Sequence, residues 1–181
     1  MFRCGFCELD ITPFAQSHMH GMFEERLMID YHATPYAKAI VMENNGEKVA
    51  IVSLDSLYVY PSSYHEIVKR AAQLTGIKPE NIMVTATHSH QGGITEYYDK
   101  HNDADRFYIQ FVRYRAADAI AFANNRLEEA NVRFGERDVF LAPRDEVRCW
   151  ELMSLDGIRF EHIRPDGSKD AVTAYCKYYR K

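Results

Sequence analysis

The sequence predicts an α/β fold in which a mostly parallel or mixed central sheet is flanked by helices. Short runs rich in apolar and β-branched residues, bounded by turn signals, are typical of strands. Two longer segments repeat apolar residues every three to four positions, the period of an amphipathic helix. One of these helices lies between two apolar strands, an order that predicts a parallel strand pair with a right-handed crossover.

The first three elements are predicted strands. Residues 2–9 form the first, which ends before Pro13 because proline offers no backbone donor. Residues 36–42 and 48–54 form the second and third, joined by a turn at Asn44-Asn-Gly46. The third strand is almost entirely apolar at its centre, which predicts burial on both faces. The stretch between the first two strands is a long loop, and such loops are usually functional or mobile.

Helices and strands alternate in the middle of the chain. Ser63 and Glu66 have the spacing of a capping box and predict a helix start, with Gly76 at its end. A buried strand over 82–87 follows, and Asp103 is the expected cap of a long helix over 104–128. The apolar stripes of the two helices include Leu74 and Phe107, respectively.

The last quarter of the sequence predicts β structure. Residues 131–135 read as a short strand, 151–162 as a hairpin around Asp156-Gly157, and 171–176 as a last strand after a turn at Pro165-Asp-Gly167. Nothing marks a linker or repeat, so we expect one α/β domain over 1–181.

Composition excludes several classes of protein. The net charge of the 181 residues is −4 and no basic block is present, so nucleic acid is not an expected partner. No apolar run reaches the roughly 20 residues that a membrane span needs, and no apolar leader is seen. Cys4 and Cys7 form a C-x-x-C within a strand, where residues three apart face opposite sides. We therefore expect free thiols and a cytoplasmic protein.

The central strand runs into His88-Ser89-His90, and two glycines follow. Side chains two apart on an extended backbone point to the same side, so both imidazoles should leave the strand end together. Open α/β sheets place ligands at this end of their strands, and imidazole is a common metal ligand. The alternative is that two surface histidines occur here by chance, in a chain that has eight.

Several motifs together resemble neutral/alkaline (non-lysosomal) ceramidases and their bacterial relatives. Thr85-Ala-Thr-His-Ser-His-Gln-Gly-Gly93 is similar to the family signature built around T-H-T-H and a following glycine-rich turn. The resemblance extends in order over residues 1 to about 137 and is weaker beyond Arg137. The other segments that carry it are Cys4–Pro13, Met19–Phe23, Tyr36–Val41, Ile51–Leu57, Arg115–Ala119 and Val132–Gly135, with weaker matches at Arg148–Gly157 and Ile163–Ser168.

The resemblance implies zinc-dependent hydrolysis of N-acylsphingosine-like amides. It assigns His88 as a zinc ligand, His90 as a contact to the substrate carbonyl, and Arg148 as a further substrate contact. The family's later zinc ligands have no counterpart in these 181 residues, which resemble the N-terminal part of a catalytic domain and lack any His-Pro. We therefore expect a partial zinc site and no activity from this chain alone. The substrate is expected to be a lipid amide or another small molecule.

Three further expectations concern neighbouring features. Asp55 either orients an imidazole or caps the turn after its strand, the second being favoured. His18 and His20 either supply further metal ligands or are solvated loop residues, again the second being favoured. A sheet edge left without a partner after residues 171–176 predicts self-association.

Other functional readings stay open. H-x-H also occurs in amidohydrolase barrels and metallo-β-lactamases, but the barrel needs about 250 residues and places the motif on its first strand. The metallo-β-lactamase pattern continues H-x-H-x-D-H, whereas Gln91 and Gly92 follow here. A non-catalytic α/β binding or assembly module is the alternative from a different class. The chain can also be a natural remnant that binds without catalysing, or one that works with another polypeptide.

Overall fold

The computed structural model describes residues 1–21, 24–96 and 102–133, together with the backbone of Ile158–Ile163 and Lys169–Ala174. The chain divides into two compact units, Met1–Arg133 and Phe134–Lys181. The single domain over 1–181 therefore stays a prediction.

The first unit is built on a mixed five-stranded sheet. Its strands are β1 (Phe2–Asp10), β2 (Tyr36–Asn44), β3 (Glu47–Leu54), β4 (Ile82–Ala86) and the two-residue β5 (Glu128–Glu129). The spatial order is β4-β3-β2-β1-β5. Only β3 and β4 run parallel, and α1 joins them as predicted; all other pairs are antiparallel. The predicted α/β class with a mixed sheet is confirmed. The strand expected at 131–135 is wrong for its described part, since residues 131–133 are not extended in a strand.

Both long helices are present, but their starts differ from the prediction. Helix α1 spans Pro61–Thr75, and its N-cap is Tyr60 rather than Ser63. Proline at the first helical position has no N–H to satisfy and a preset φ, so the helix begins three residues earlier than predicted. At the other end Gly76 has φ 71° and its N–H donates to Ala72 O, as predicted from the sequence. A single 3₁₀ turn, Pro79–Asn81, leads into β4.

Helix α2 spans Asp103–Asn125, and its N-cap is Asn102 rather than Asp103. The Asn102 side chain accepts the N–H of Asp105 while the Asp105 carboxylate accepts the N–H of Asn102, which completes a capping box. The prediction that Phe107 in α2 and Leu74 in α1 belong to the buried stripes is wrong. Phe107 is 69% exposed and Leu74 is 48% exposed. The stripe still places Ala116, Ile120 and Ala123 in the core.

One face of the sheet forms the core with both helices. The strand register aligns small and apolar residues in rows across this face, for example Cys7, Ala39, Val52 and Val84. Small side chains let helix backbone approach the sheet closely. A Cβ atom at Gly5 would collide with the backbone oxygen of Ala123 in α2. The core cluster also contains the buried faces of α1 and α2.

The opposite face of the sheet carries a second apolar row, Phe6-Ile40-Ile51-Met83. Phe6 and Met83 at its two ends are exposed, and Val49 in β3 is 42% exposed. The expectation that β3 is buried on both faces is therefore wrong for the residues that the structure describes. In the described part of the chain, the apolar centre of β3 belongs to a sheet that carries apolar side chains on both faces.

The C-x-x-C residues behave as predicted. Cys4 and Cys7 are buried free thiols on opposite faces of β1. Cys4 lies opposite Met42 of β2, and Cys7 lies opposite Ala39. Burial raises the pKa of the Cys4 thiol. The cytoplasmic location inferred from such thiols stays a prediction.

The second unit contains one described hairpin. Strand β6 (Ile158–Ile163) pairs antiparallel with β7 (Lys169–Ala174). The predicted hairpin over 151–162 is thus partly wrong, because residues 158–162 pair with a later segment. Its first arm, the turn at Asp156-Gly157 and the turn at Pro165-Asp-Gly167 lie outside the described residues. The last strand is β7, two residues earlier than predicted.

Neither α1 nor α2, the helices of the described ranges, combines the length and apolar character that crossing a membrane requires.

Replacing Gly5 with alanine tests the close contact of β1 with α2. We expect Gly5→Ala to lower the free energy of unfolding by about 1–3 kcal/mol, the cost of overpacking a filled core. The matched control is Glu8→Ala, an exposed position on the same strand, which should change it by less than about 0.5 kcal/mol. Urea unfolding followed by circular dichroism measures both variants. Equal unfolding midpoints for Gly5→Ala and Glu8→Ala would contradict the close contact of Gly5 with α2.

Candidate functional site

The candidate site lies where the parallel strands β3 and β4 end. Backbone pairing continues briefly past the strands, since Thr87 N–H donates to Leu54 O at 3.0 Å and Ser89 N–H to Ser56 O at 3.1 Å. This keeps the segments after β3 and β4 side by side. The His88 and His90 rings lie above that junction, with their centroids 5.3 Å apart and their planes at 84°.

The two rings come together for a different reason from the one predicted. Strand β4 ends at Ala86, and His88 has a φ of 62°, in the left-handed region. The histidines therefore do not share one side of an extended backbone. A turn at His88, a conformation that costs a non-glycine residue about 1–3 kcal/mol, brings the second ring back towards the first.

Hydrogen bonds fix the same proton on each ring. His88 Nδ1 lies 3.1 Å from Leu57 O, and His90 Nδ1 lies 2.7 Å from Gly21 O. A carbonyl oxygen only accepts, so Nδ1 carries the proton in both rings. In the neutral state each Nε2 then has a free lone pair, able to bind a metal or to accept a proton. The bonding pattern does not distinguish a ligand from a substrate contact.

The surroundings of the two rings do differ. His88 is exposed and packs edge-on against the Tyr58 ring, with centroids 5.2 Å apart. His90 is half-buried beneath the loop between β1 and β2, where its Nδ1–H donates a hydrogen bond to Gly21 O. The Arg26 guanidinium donates to the backbone oxygen of His90.

Gly21 has to be glycine in this arrangement. Its φ is +105°, a region that L side chains rarely adopt, and a Cβ there would collide with His90 Nδ1. Gly92 is also in tight contact, since a Cβ would strike the backbone of Asp55. The glycines after the H-x-H motif therefore permit close packing.

The loop at residues 11–35 is anchored on a carboxylate that sequence reasoning did not single out as a site residue. Asp105, the third residue of α2, is fully buried. Its Oδ1 accepts the His18 N–H at 2.6 Å, and its Oδ2 lies 2.7 Å from His18 Nδ1. The other side of the His18 ring, Nε2, lies 2.9 Å from Glu25 Oε1.

Charges and hydrogen bonds shift both groups. Burial on its own raises the pKa of Asp105, but hydrogen bonds from His18 and Asn102 outweigh it and hold that pKa below its usual value. The hydrogen bond to Glu25, followed by the contact with Asp105, raises the pKa of His18 against the opposing effect of burial. The side chain of His18 is only 17% exposed, so the expectation that it is a solvated loop residue is wrong.

Further contacts hold the loop and the segment after the glycines. Tyr108 of α2 is fully buried and donates its hydroxyl to Ile11 O at 2.8 Å. Met19 pairs with Gly93 as an isolated antiparallel bridge. Buried Arg113 donates to Ser63, whose hydroxyl in turn donates to Thr95 O. Ser63, predicted as a helix cap, therefore links α1 by hydrogen bonds to Arg113 of α2 and to Thr95 in the segment after the glycines.

The remaining predicted site residues are placed as follows. The Asp55 carboxylate accepts the Tyr36 N–H at 3.0 Å and Lys38 Nζ at 3.2 Å. Its hydrogen bonds thus go to the start of β2 rather than to an imidazole or to its own turn. His20, the other histidine considered as a metal ligand or a solvated loop residue, is half-buried. Arg148 lies outside the described residues. Within those residues, no group of three or more His, Cys, Asp or Glu side chains is placed to hold a metal.

The residues missed by sequence reasoning are His18 as a buried contact, Glu25, Arg26 and Asp105. The spacing of Asn102 and Asp105 was a usable signal, because it matches a capping box and would have placed Asp105 at the start of α2. Nothing local links Asp105 to His18, which lies 87 positions earlier.

Comparison with solved structures identifies the fold. A neutral ceramidase from Pseudomonas aeruginosa matches with a TM-score of 0.62 and 24% identity, and a ceramidase complexed with C2 matches with a TM-score of 0.61 and 24% identity. The fold is neutral ceramidase-like. Each match covers 70% of this chain and 22% of the other, so the chain spans about a fifth of the length of these ceramidases. This partial coverage agrees with a resemblance that weakens beyond Arg137. No family model and no curated protein matches the sequence.

The His18 pair predicts a specific pH dependence of stability. A raised His18 pKa means that its contribution is fully present below about pH 6.5 and is lost as the pH rises through the folded-state pKa. Asp105 contributes above about pH 3.9, and its contribution is lost as the pH falls through its lowered folded-state pKa. We expect His18→Gln to cost about 1.5–3 kcal/mol near pH 6, the scale of a charged hydrogen bond, and less at pH 9.

Urea unfolding of the wild type and His18→Gln across pH 4–9 measures this difference. The control is His32→Gln, an exposed histidine of the same loop, which should leave the profile unchanged. A cost for His18→Gln that stays constant or grows towards pH 9 would contradict the assigned pairing.

Proposed function

We propose that this chain supplies part of the active site of a zinc-dependent amide hydrolase of the neutral ceramidase type. The observation that carries the proposal is the pair of imidazoles where the parallel strands end. Each ring commits its Nδ1 proton to a backbone oxygen, which leaves a lone pair on the Nε2 atom of each of two neighbouring rings. Imidazole nitrogen is a preferred zinc ligand, and the ceramidase-like fold supports the class of enzyme.

The described residues do not complete a zinc site. Zinc in proteins takes three or four protein ligands, whereas the described chain offers these two imidazoles and no larger donor group. A bound zinc ion would polarise an amide carbonyl and lower the pKa of a bound water to about 7. We propose that the other donors lie outside the described residues.

His88 and His90 take different roles in this proposal. His88 is the metal ligand in this proposal, because it is exposed and its Nδ1 is bound to Leu57 O, which leaves Nε2 as the donor atom. His90 faces the substrate. With Nδ1 bound to Gly21 O, a neutral His90 accepts at Nε2; only the imidazolium form can donate to a carbonyl oxygen or oxyanion. Arg148 remains a proposed substrate contact.

The proposed substrate class is N-acylsphingosine-like lipid amides. Its support is that both solved neighbours are named as ceramidases and that the motif order resembles their family. Another small-molecule amide fits the same pair of imidazoles. The alternative function is a non-catalytic binding or assembly module.

Zinc affinity tests the assignment of the two histidines. We expect the 181-residue chain to bind zinc weakly and to leave N-acylsphingosine uncleaved. His88→Gln should raise the zinc dissociation constant by at least about tenfold, a scale at which even partners of metal ligands act, whereas His90→Gln should change it little. Equilibrium dialysis with metal analysis gives these constants.

His32→Gln is again the control for a histidine outside the site. Loss of zinc in His90→Gln but not in His88→Gln would exchange the two roles. No dependence on either residue would favour the non-catalytic module, and clear cleavage of N-acylsphingosine by this chain alone would contradict the partial site.

We also propose that the chain self-associates through the β4 edge of its sheet. In the described part of the chain, β4 pairs only with β3, so its outer edge presents unpaired backbone groups beside the exposed Met83. The edge predicted from the sequence, residues 171–176, is different. Strand β7 pairs with β6, and residues 175–176 lie outside the described ranges.

A charge on that edge should oppose association, since strands protect their edges with lysine. We expect Met83→Lys to shift the chain towards monomer in sedimentation velocity over a range of concentrations. Leu74→Lys makes the matched replacement of an exposed apolar residue on α1. Equal effects of the two variants, or a wild type that is monomeric throughout, would contradict association through this edge.

A further inference from the structure

The loop at residues 11–35 carries an ionic clamp that the proposed chemistry does not use directly. The clamp consists of His18, Asp105 and Glu25. Both ring nitrogens of His18 face carboxylate oxygens, at 2.7 Å and 2.9 Å. Ionised carboxylates only accept hydrogen bonds, and a neutral imidazole has a single N–H. Both contacts are satisfied together only when His18 is an imidazolium.

The clamp is connected to the candidate site through hydrogen bonds of the same loop. His18 is bound to Asp105 through its backbone N–H as well as its ring. Three residues later, Gly21 O accepts the Nδ1 proton of His90. Later in the loop, Arg26 O accepts a hydrogen bond from the Met19 N–H, and the Arg26 guanidinium donates to His90 O. The same loop is thus bonded to α2 through His18 and to His90 through Gly21 O and the Arg26 guanidinium.

We propose that His18 is a positioning residue for His90. Held as an imidazolium between Asp105 and Glu25, it fixes the loop so that the Gly21 carbonyl selects the Nδ1-protonated tautomer of His90. The lone pair of the neutral His90 ring is then on Nε2, the nitrogen that is not bound to Gly21. The placement of the ring is independent of any reaction, whereas its effect on catalysis rests on the function proposed above.

Charge explains why this clamp responds to pH. Within the described chain, the charged groups that face the His18 ring are Asp105 from the start of α2 and Glu25 from the loop itself. Glu25 is largely exposed, whereas Asp105 is fully buried. Loss of the ring's second proton therefore releases the exposed partner, Glu25, and retains the buried one. The loop then loses its contact between His18 and Glu25 but keeps its contact between His18 and Asp105 of α2.

Histidine-detected NMR of the full chain tests the proposal without metal or substrate. In ¹⁵N-histidine-labelled protein, we expect His18 to show two protonated nitrogens at pH 6.5 and His90 to be held as the Nδ1–H tautomer when neutral. His18→Gln should remove that tautomer preference of His90. Gly21→Ala should do the same with His18 intact, because its Cβ would occupy the place of the His90 ring. His32→Gln should leave His90 unchanged.

The wild type provides a measurement that does not depend on any variant folding. The amide signals of Met19 and Gly21 should shift with the same midpoint pH as the His18 ring. A His90 tautomer unaffected by His18→Gln, or loop amides that do not follow the His18 midpoint, would overturn the positioning role.

Activity distinguishes this inference from the proposed function. In a polypeptide or complex that completes the site, His18→Gln should lower kcat by roughly 10- to 100-fold, the scale of residues that orient ligands and bases, and should flatten the alkaline limb of the pH profile. Absence of any hydrolysis would remove the proposed function and leave the NMR result standing. Normal hydrolysis by His18→Gln would remove the positioning role alone.

Discussion

A fully buried carboxylate organises the site end of this molecule. An ionised Asp105 in the interior would cost several kcal/mol if it were unpaired. It is instead surrounded by N–H groups: the backbone amides of Asn102 and His18 and the His18 ring. Its position in the first turn of α2 adds the favourable field of a helix N-terminus. The capping of a helix and the anchoring of a 25-residue loop are therefore one interaction, so the loop cannot detach without uncapping α2 and leaving a charge buried.

The sheet determines where that loop meets the histidines. Among the described strands only β3 and β4 are parallel, so there two strands end side by side with their following segments on the same edge. Small residues at Gly5, Ala39 and Ala50 bring α2 close to the strands. The start of α2 therefore stands close to the loop that crosses from β1 to β2. Asp105 reaches the loop from the helix side, while His88 and His90 reach it from the strand ends.

Local patterns in the sequence were sufficient to predict most of the sheet and little of the site. Alternation located β1 to β4 to within two residues, and Gly76 marked the end of α1 because glycine adopts the left-handed C-cap conformation without the cost of a Cβ. The starts of both helices were misplaced because Tyr60-Pro61 and Asn102 compete with equally plausible neighbouring caps. The pairing of His18 with Asp105 could not be predicted, since it depends on how the loop folds back over α2. The left-handed turn at His88 had no local signal either, yet it determines how the two rings meet.

The hydrogen bonds of the two imidazoles constrain any chemistry at this site. Both Nδ1 protons are committed to backbone carbonyls, so the reactive atom of each neutral ring is Nε2. Two acceptors side by side attract a cation or a proton donor, and they repel an anion unless one ring takes up a proton. Of the two, His90 is held at its ring by Gly21 and at its backbone by Arg26, whereas His88 has one hydrogen bond and an aromatic edge. The more rigid ring is the better placed to orient a reacting group, and the more exposed ring is the more accessible to an incoming metal ion. That asymmetry, rather than any difference in protonation, is the physical basis for assigning His90 to the substrate and His88 to the metal.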